Sequence, residues 1–380
     1  MLKNKTAYII TILSIFINML LFWSGTYDYL EEKLYDYRFR LRGPLSGDYT
    51  QISDKHKNTL DNQAIKINKT DNDVVILGLD QISYETIGRY YPYDRAVIWS
   101  KVIDNLVIAG AKVIVFDIMF DHISAQDSIF SNSIKNAEEN GVDVILATNN
   151  IIEKEIANQD FRLIKPSKNI IESTNVKLGL IGTVQDNDGF IRKYISIDNT
   201  IDDDYQDQYY SLALQAVISY KNEEATFDGY GIQIGDLTIP HYKNENTFLV
   251  NYYGPQSGLQ LGTFKISSLY EILDDCDPDI SNCQPILKNP INGIYEDSFN
   301  FMLDFPRLNC FSDKIVIIGS TLKEHHDVFD TPFNSFQNSG EMYGVELHAN
   351  VIQQILDNNH ISSPLAFKGV NIDFKDKLVS

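Results

Sequence analysis

Carboxylate, hydroxyl and imidazole side chains gather in this sequence at the ends of apolar runs. Asp80 closes VVILGLD (residues 74–80), and Asp117 stands inside KVIVFDIMF (112–120). Ser320 and Thr321 follow KIVIIG (314–319), and His348 lies in GVELHANVIQQIL (344–356). Polar groups at the carboxyl ends of parallel strands line the edge where open α/β sheets collect ligands. In one crevice they can hold a small polar molecule or a cation. A second reading stays open: such Asp residues also cap turns through backbone N–H groups, and a histidine on an amphipathic helix also serves as a hydrogen-bonded packing residue. The segment KEHHDVFDTPF (323–333) gathers Glu324, His325, His326, Asp327 and Asp330. Its spacing matches no standard metal-ligand pattern, and the adjacent His325 and His326 point in different directions, so it reads as a solvated loop.

The cysteines are equally undecided by spacing. Cys276 and Cys283 flank CDPDISNC, whose Asp, Pro, Ser and Asn favour a turn that can bring the thiols to disulfide distance in an oxidising compartment. Three ordinary thiols are the alternative, with Cys310 odd in either case. No CxxC pair is present, so zinc is not expected, and the sequence assigns no metal and no cofactor. The nucleophile elbow, phosphate loop, HExxH and dinucleotide fingerprint are all missing, and no catalytic residue is assigned. A hydrolase or metal-dependent enzyme of the cell envelope would need Asp80, Asp117 and His348 to converge within hydrogen-bond or metal distance. An envelope scaffold would leave that sheet edge filled.

The elements that must position these residues follow from hydrophobic periodicity. Residues 74–80 read as a strand buried on both faces. A helix over 94–109, a strand over 112–120, a helix over 127–140 and a strand over 142–148 complete a parallel α/β unit. Residues 178–184 and 189–197 read as an antiparallel pair around the turn cluster 185–188, and 211–220 as a helix. Residues 247–253 are strand-like, and 267–273 form a short helix with Ser267 as its N-cap. The strand 314–320 and helix 344–356 return to the first sheet, because a buried strand needs neighbours on both sides. The predicted class is α/β, with a mainly parallel central sheet flanked by helices, an antiparallel insertion and one N-terminal transmembrane helix.

The N-terminus is different material. Ala7–Trp23 is seventeen residues without a charge, and the span 7–26 reaches the length of a bilayer-crossing helix. It is longer than a signal-peptide core and ends in bulky Phe22 and Trp23, so an uncleaved anchor is expected. Lys3 and Lys5 precede it, while Asp28, Glu31 and Glu32 follow, which places residues 1–6 in the cytoplasm. Lys33, Arg38, Arg40 and Arg42 also follow, but a large domain translocates largely regardless of charge. Tyr27–Arg42 carries Leu30, Leu34, Tyr37 and Leu41 at helical spacing and continues the anchor outward until Gly43 and Pro44 stop it. Beyond it, 45–73 reads as a polar loop. The formal charge of −20 opposes binding to nucleic acid.

Eight segments then carry a resemblance in consistent order: YDYRFRLRGP (35–44), VVILGLD (74–80), AGAKVIVFDIMF (109–120), NDGFIRKY (187–194), NYYGP (251–255), KIVIIGS (314–320), DVFDTPF (327–333) and YGVELHANVIQQIL (343–356). Over most of Tyr27–Leu356 the chain resembles type 2 CHASE domains. The resemblance implies an extracytoplasmic sensory domain at residues 27–360, held at the inner membrane by a single span and passing an unidentified stimulus across the membrane or to a partner protein. It brings no catalytic residues, and it marks Asp80, Asp117, Asp327 and His348 as pocket or structural positions. The implied partners are a small-molecule or envelope ligand, the membrane, and a second copy of the chain or a separate signalling protein. Relatives usually continue into further membrane helices and a cytoplasmic output module. Residues 361–380 form a tail without an apolar run long enough to cross a bilayer, so no output module is expected in this chain.

Overall fold

The computed structural model describes residues 2–45, 72–88, 91–153, 160–202, 205–227, 231–242, 246–257, 262–273, 311–334 and 340–361. Cys276, Cys283 and Cys310 lie outside the described residues, as does most of the polar segment 45–73. In chain order the helices are α1 (Leu2–Trp23), α2 (Thr26–Arg42), α3 (Gln81–Ile87), α4 (Ser100–Ile108), α5 (Asp127–Glu139), α6 (Lys168–Ser173), α7 (Leu212–Lys221), α8 (Tyr270–Leu273) and α9 (Gly344–Leu356). The strands of the main sheet are β1 (Val74–Leu79), β2 (Val113–Phe116), β3 (Asp143–Glu153), β4 (Asp160–Ile164) and β5 (Lys177–Leu180). There follow β6 (Val184–Gln185), β7 (Ile191–Ile195), β8 (Ile197–Asp202), β9 (Tyr205–Tyr210), β10 (Ala225–Phe227), β11 (Gly231–Ile234), β12 (Leu237–Pro240) and β13 (Thr247–Leu249). The last four are β14 (Ile266–Ser268), β15 (Ile315–Ser320), β16 (Val328–Phe329) and β17 (Met342–Tyr343).

Six strands run parallel in one sheet and β4 pairs antiparallel with the outer half of β3; the order is β14-β1-β15-β2-β3-β4, with β5 also on β3. Every residue of β1 and β2 is buried, as their unbroken apolar runs require when both faces are covered. Successive side chains point to opposite faces. Val74, Ile76, Val113, Val115, Ile315 and Ile317 therefore meet α7 and α9 on one side. Val75, Leu77, Ile114, Phe116, Val316 and Ile318 meet α4, α5 and α8 on the other. β15 sits between β1 and β2, so the expectation that the late strand returns to the first sheet holds, with the strand at its centre.

Two local expectations change. Residues 178–184 do not pair with 189–197 as one hairpin: β5 joins β3 in parallel, and only the two-residue β6 turns back on β7. β5 takes the side of β3 that faces away from β2, and Leu178 continues the apolar layer there. Ser267 is not a helix cap, because it pairs with Leu77 inside β14 and the helical turn starts only at Tyr270. The predicted helix over 94–109 opens with a π-helical turn, Arg95–Trp99, before α4.

α1 and α2 meet at Gly25, whose φ of 71° lies in the left-handed region open to glycine. Among the described residues, no helix is long and apolar enough to cross a membrane. α2 docks on the domain through Tyr35 and Phe39, the latter edge-on to Tyr252 and Phe333.

Candidate functional site

The carboxyl ends of β14, β1, β15 and β2 bring Ser268, Asp80, Thr321 and Asp117 to one edge of the sheet. A cleft of about 520 Å³ opens there, lined by Asp80, Gln81, Ser257, Thr321, Lys323 and Glu324, with Tyr343 at its wall. Asp80 caps α3: its Oδ1 accepts from the Ser83 backbone N–H at 2.7 Å, and its Oδ2 accepts from the Ser268 hydroxyl. The capping reading thus describes Oδ1, while Oδ2 ties α3 to the Ser268 side chain at the end of β14. Ser320 Oγ accepts from the Leu322 backbone N–H and lies 2.7 Å from His325 Nδ1. Thr321 presses its Oγ1 against Gly78, where a Cβ would come within 2.8 Å, so only glycine admits it. That Oγ1 is buried and, among the described residues, has no hydrogen-bond partner.

Asp117, Asp327 and His348 form a second, buried cluster beside the cleft. His348 Nε2 stands 3.7 Å from Asp117 Oδ1, an ion-pair distance too long for a hydrogen bond. Its Nδ1 meets the Tyr194 hydroxyl at 2.5 Å. Asp117 Oδ2 is buried with no hydrogen-bond partner among the described residues, and desolvation pushes this carboxyl up to about 7. Asp327 lies against the backbone of Gly344 and is pushed up to about 6, by burial first and then by Asp117. Burial drives His348 the other way, down to about 4. Near neutral pH this is a neutral imidazole beside an Asp117 carboxyl that resists ionising. Among the described residues no three His, Cys, Asp or Glu side chains are placed to hold a metal ion.

Sequence reasoning thus names residues that the fold divides: Asp80 and Thr321 line the cleft, Ser320 turns to His325, and Asp117, Asp327 and His348 gather in the second cluster. Tyr91 stands between them, its ring 5.2 Å from that of His325 and its hydroxyl raised by burial and by the nearby Asp117. His326 stays exposed, as the solvated-loop reading expects, whereas Asp330 is half-buried: its backbone bridges Phe190, its carbonyl accepts from the Ile191 N–H and its Oδ1 accepts from Asn334.

Three residues escaped the sequence. Glu346, fully buried one turn into α9, accepts from the backbone N–H of Ser257 at 2.9 Å and from its hydroxyl at 2.5 Å, and burial lifts it to about 7. Tyr194 joins β7 to His348. Arg192 is a buried guanidinium that grips Asp36 of α2 with two donors, Nε at 2.9 Å and Nη2 at 2.8 Å. Its remaining donors reach Asp186 at 2.9 Å and Asp188 at 2.8 Å. These bonds hold Asp188 well below the usual carboxylate range and Arg192 above its ordinary value. The signal was present in YDYRFRLRGP and NDGFIRKY, which carry Asp36 and Arg192, but nothing in either segment announces the other as its partner.

The comparisons bear on the whole of this arrangement. No curated protein and no solved structure matches the chain. A family model described as the CHASE2 domain matches residues 10–371, from within α1 through the cleft and both clusters to beyond α9. With nearly the full length matched, and with the mixed α/β layers that the resemblance led one to expect, the chain belongs to the CHASE2 family of extracytoplasmic sensory domains.

Proposed function

We propose that this chain senses a small polar ligand in the cleft at the carboxyl edge of the sheet and passes its occupancy to the juxtamembrane helix α2. The observation that carries this reading is the unpartnered Thr321 Oγ1, a buried hydroxyl at the cleft in a setting where buried polar groups are nearly always satisfied. A ligand group supplying that partner would recover the free energy an orphaned hydroxyl costs. Lys323 and Glu324 of opposite charge on the rim favour a ligand carrying both donors and acceptors. Below the cleft, Asp117 faces His348, His348 bonds Tyr194, and Tyr194 shares one face of β7 with Arg192, two residues away, which holds Asp36 of α2. The path from the sheet edge to α2 thus runs through side-chain contacts at both ends and through the backbone of β7 between Tyr194 and Arg192, and a ligand bound differently by two states of the domain would bias it.

In this reading α1 is the membrane anchor, residues 1–6 are cytoplasmic, and 27–360 is the extracytoplasmic sensor. The exposed side chains of α1, Ile9, Leu13, Phe16 and Trp23 among them, support it, since such an apolar surface has no cover in the described residues. The test is thermal unfolding of the full chain in detergent against metals, nucleotides, sugars, amino acids and cell-envelope fragments. A ligand at about 100 times its Kd adds about 2.7 kcal/mol and raises the Tm. The shift should saturate, survive a surface change such as Lys135→Ala, and be lost in Thr321→Val. A well-folded chain that gives no shift with any class, or a shift indifferent to Thr321, would sink the cleft as the sensing site.

A further inference from the structure

α2 has two faces, and only one is used. Tyr35 and Phe39 are 5% and 2% exposed, with Asp36 buried between them on the domain side. On the opposite side Tyr27, Leu30, Leu34, Tyr37 and Leu41 are 41%, 47%, 54%, 56% and 69% exposed. Their spacing alternates three and four residues throughout, which is the a/d repeat of a coiled coil. A helix that merely lay on its own domain would show its apolar stripe inward; here the inward face contains a carboxylate and the outward face the leucines.

We propose that this outward stripe is a self-association seam, on which α2 of a second copy of the chain packs in parallel and in register. A 3.5-residue period is matched by another helix of the same period, and a second copy supplies one in every molecule. The area fits an interface that needs help. Large side chains contribute roughly 150–250 Å² each when fully buried. Five of them about half exposed therefore offer on the order of 400–650 Å² per copy, near the lower bound of about 1,000 Å² in total for a specific interface. The parallel sense rests on the anchoring proposed above, since two chains fixed in one membrane present α2 in the same direction; the seam itself does not. Tethering also raises the effective concentration of one copy for the other. One feature opposes the pairing: in parallel register Lys33 faces Arg38 of the second copy. Lys33 is already drawn to Asp188 at 2.9 Å, which softens that repulsion.

The test uses the full chain. In membranes, oxidation of a Leu34→Cys chain should give a disulfide-linked dimer well above two references. One is the parent chain, which sets the background from the native cysteines; the other is Tyr29→Cys, exposed on the same helix but off the seam. In detergent, sedimentation should show Leu34→Lys raising the dimer dissociation constant roughly a hundredfold, the scale of like charges brought together in an interface. Both substitutions are at an exposed position, and an unchanged Tm verifies folding. Arg38→Glu should tighten the dimer roughly two- to fivefold by giving Lys33 an opposite charge across the seam. Leu34→Cys no better than Tyr29→Cys, or an oligomeric state indifferent to Leu34→Lys, would overturn self-association on this face. Weakening by Arg38→Glu would overturn the parallel sense, because an antiparallel pair sets position 38 beside Glu31.

Discussion

Arg192 answers three carboxylates from inside the protein, and two of them, Asp36 and Asp186, are buried as well. Removing one partner of such a set leaves charges stranded in a poorly solvating site, which costs far more than the set contributes when intact. Arg192→Ala should lower unfolding stability by about 3–5 kcal/mol in urea titrations. Arg192→Lys should recover part of that, since it restores the charge but not the two-pronged grip on Asp36. The residue scale is also where sequence reading stops soonest. Asp80 and Asp117 were visible because they end or interrupt apolar runs. That Asp80 is committed to the Ser83 N–H, while Asp117 keeps an oxygen without a partner, depends on atoms brought by distant strands. Arg192 and Asp36 are 156 residues apart, and a charged side chain in a polar-looking segment gives no warning that it is buried.

Elements were more legible. β1, β2 and β15 could be read because burial on both faces leaves no polar position in the first two and only the terminal Ser320 in the third, and α9 because its stripe is covered along its whole length. Strand order was not legible, since a fully apolar strand carries no mark of its neighbours. The stripe on α2 was found and its meaning was not: periodicity shows that a helix has an apolar side, but not which body covers it. α1 is the sharper case, apolar on all sides and exposed on all described sides. Its behaviour should be that of an anchor: the chain sediments with membranes and resists alkaline carbonate extraction. The pair Leu13→Arg and Phe16→Arg should release it, each arginine near the middle of a span costing about 2.5–3.5 kcal/mol. A parent chain that is extracted by carbonate would remove α1 as an anchor.

For the whole molecule the buried titratable groups set a pH profile. Asp117, Asp327 and Glu346 are raised to about 7, about 6 and about 7, so between the unfolded carboxylate range near 4 and these values the folded state holds protons that the unfolded state has lost. Their contribution is therefore present below about 4 and disappears as pH rises toward about 7. His348 and His360, lowered to about 4, act in the opposite direction and add stability as pH rises from about 4 to about 6.5. The two sets partly cancel up to that point, and above it only the acids remain. The Tm should fall between pH 6 and pH 8. Asp117→Asn, which stays neutral, should flatten that fall by on the order of 1 kcal/mol, since only about one unit of its shift, from pH 6 to about 7, lies inside this interval. A Tm that climbs over this interval would contradict the buried, proton-holding acids.

The place of β15 has a consequence in time. Val74 and Val113 each find their neighbour in Ile315, so the facing edges of β1 and β2 stay open until the ribosome has delivered nearly all of the described fold. At synthesis rates of about 5–20 residues per second, β1 waits roughly 10–50 s for its partner. Through that interval two apolar strands offer unpaired backbone to any other chain nearby. Until β15 arrives, a nascent copy stays open on these two edges to whatever binds unpaired strands.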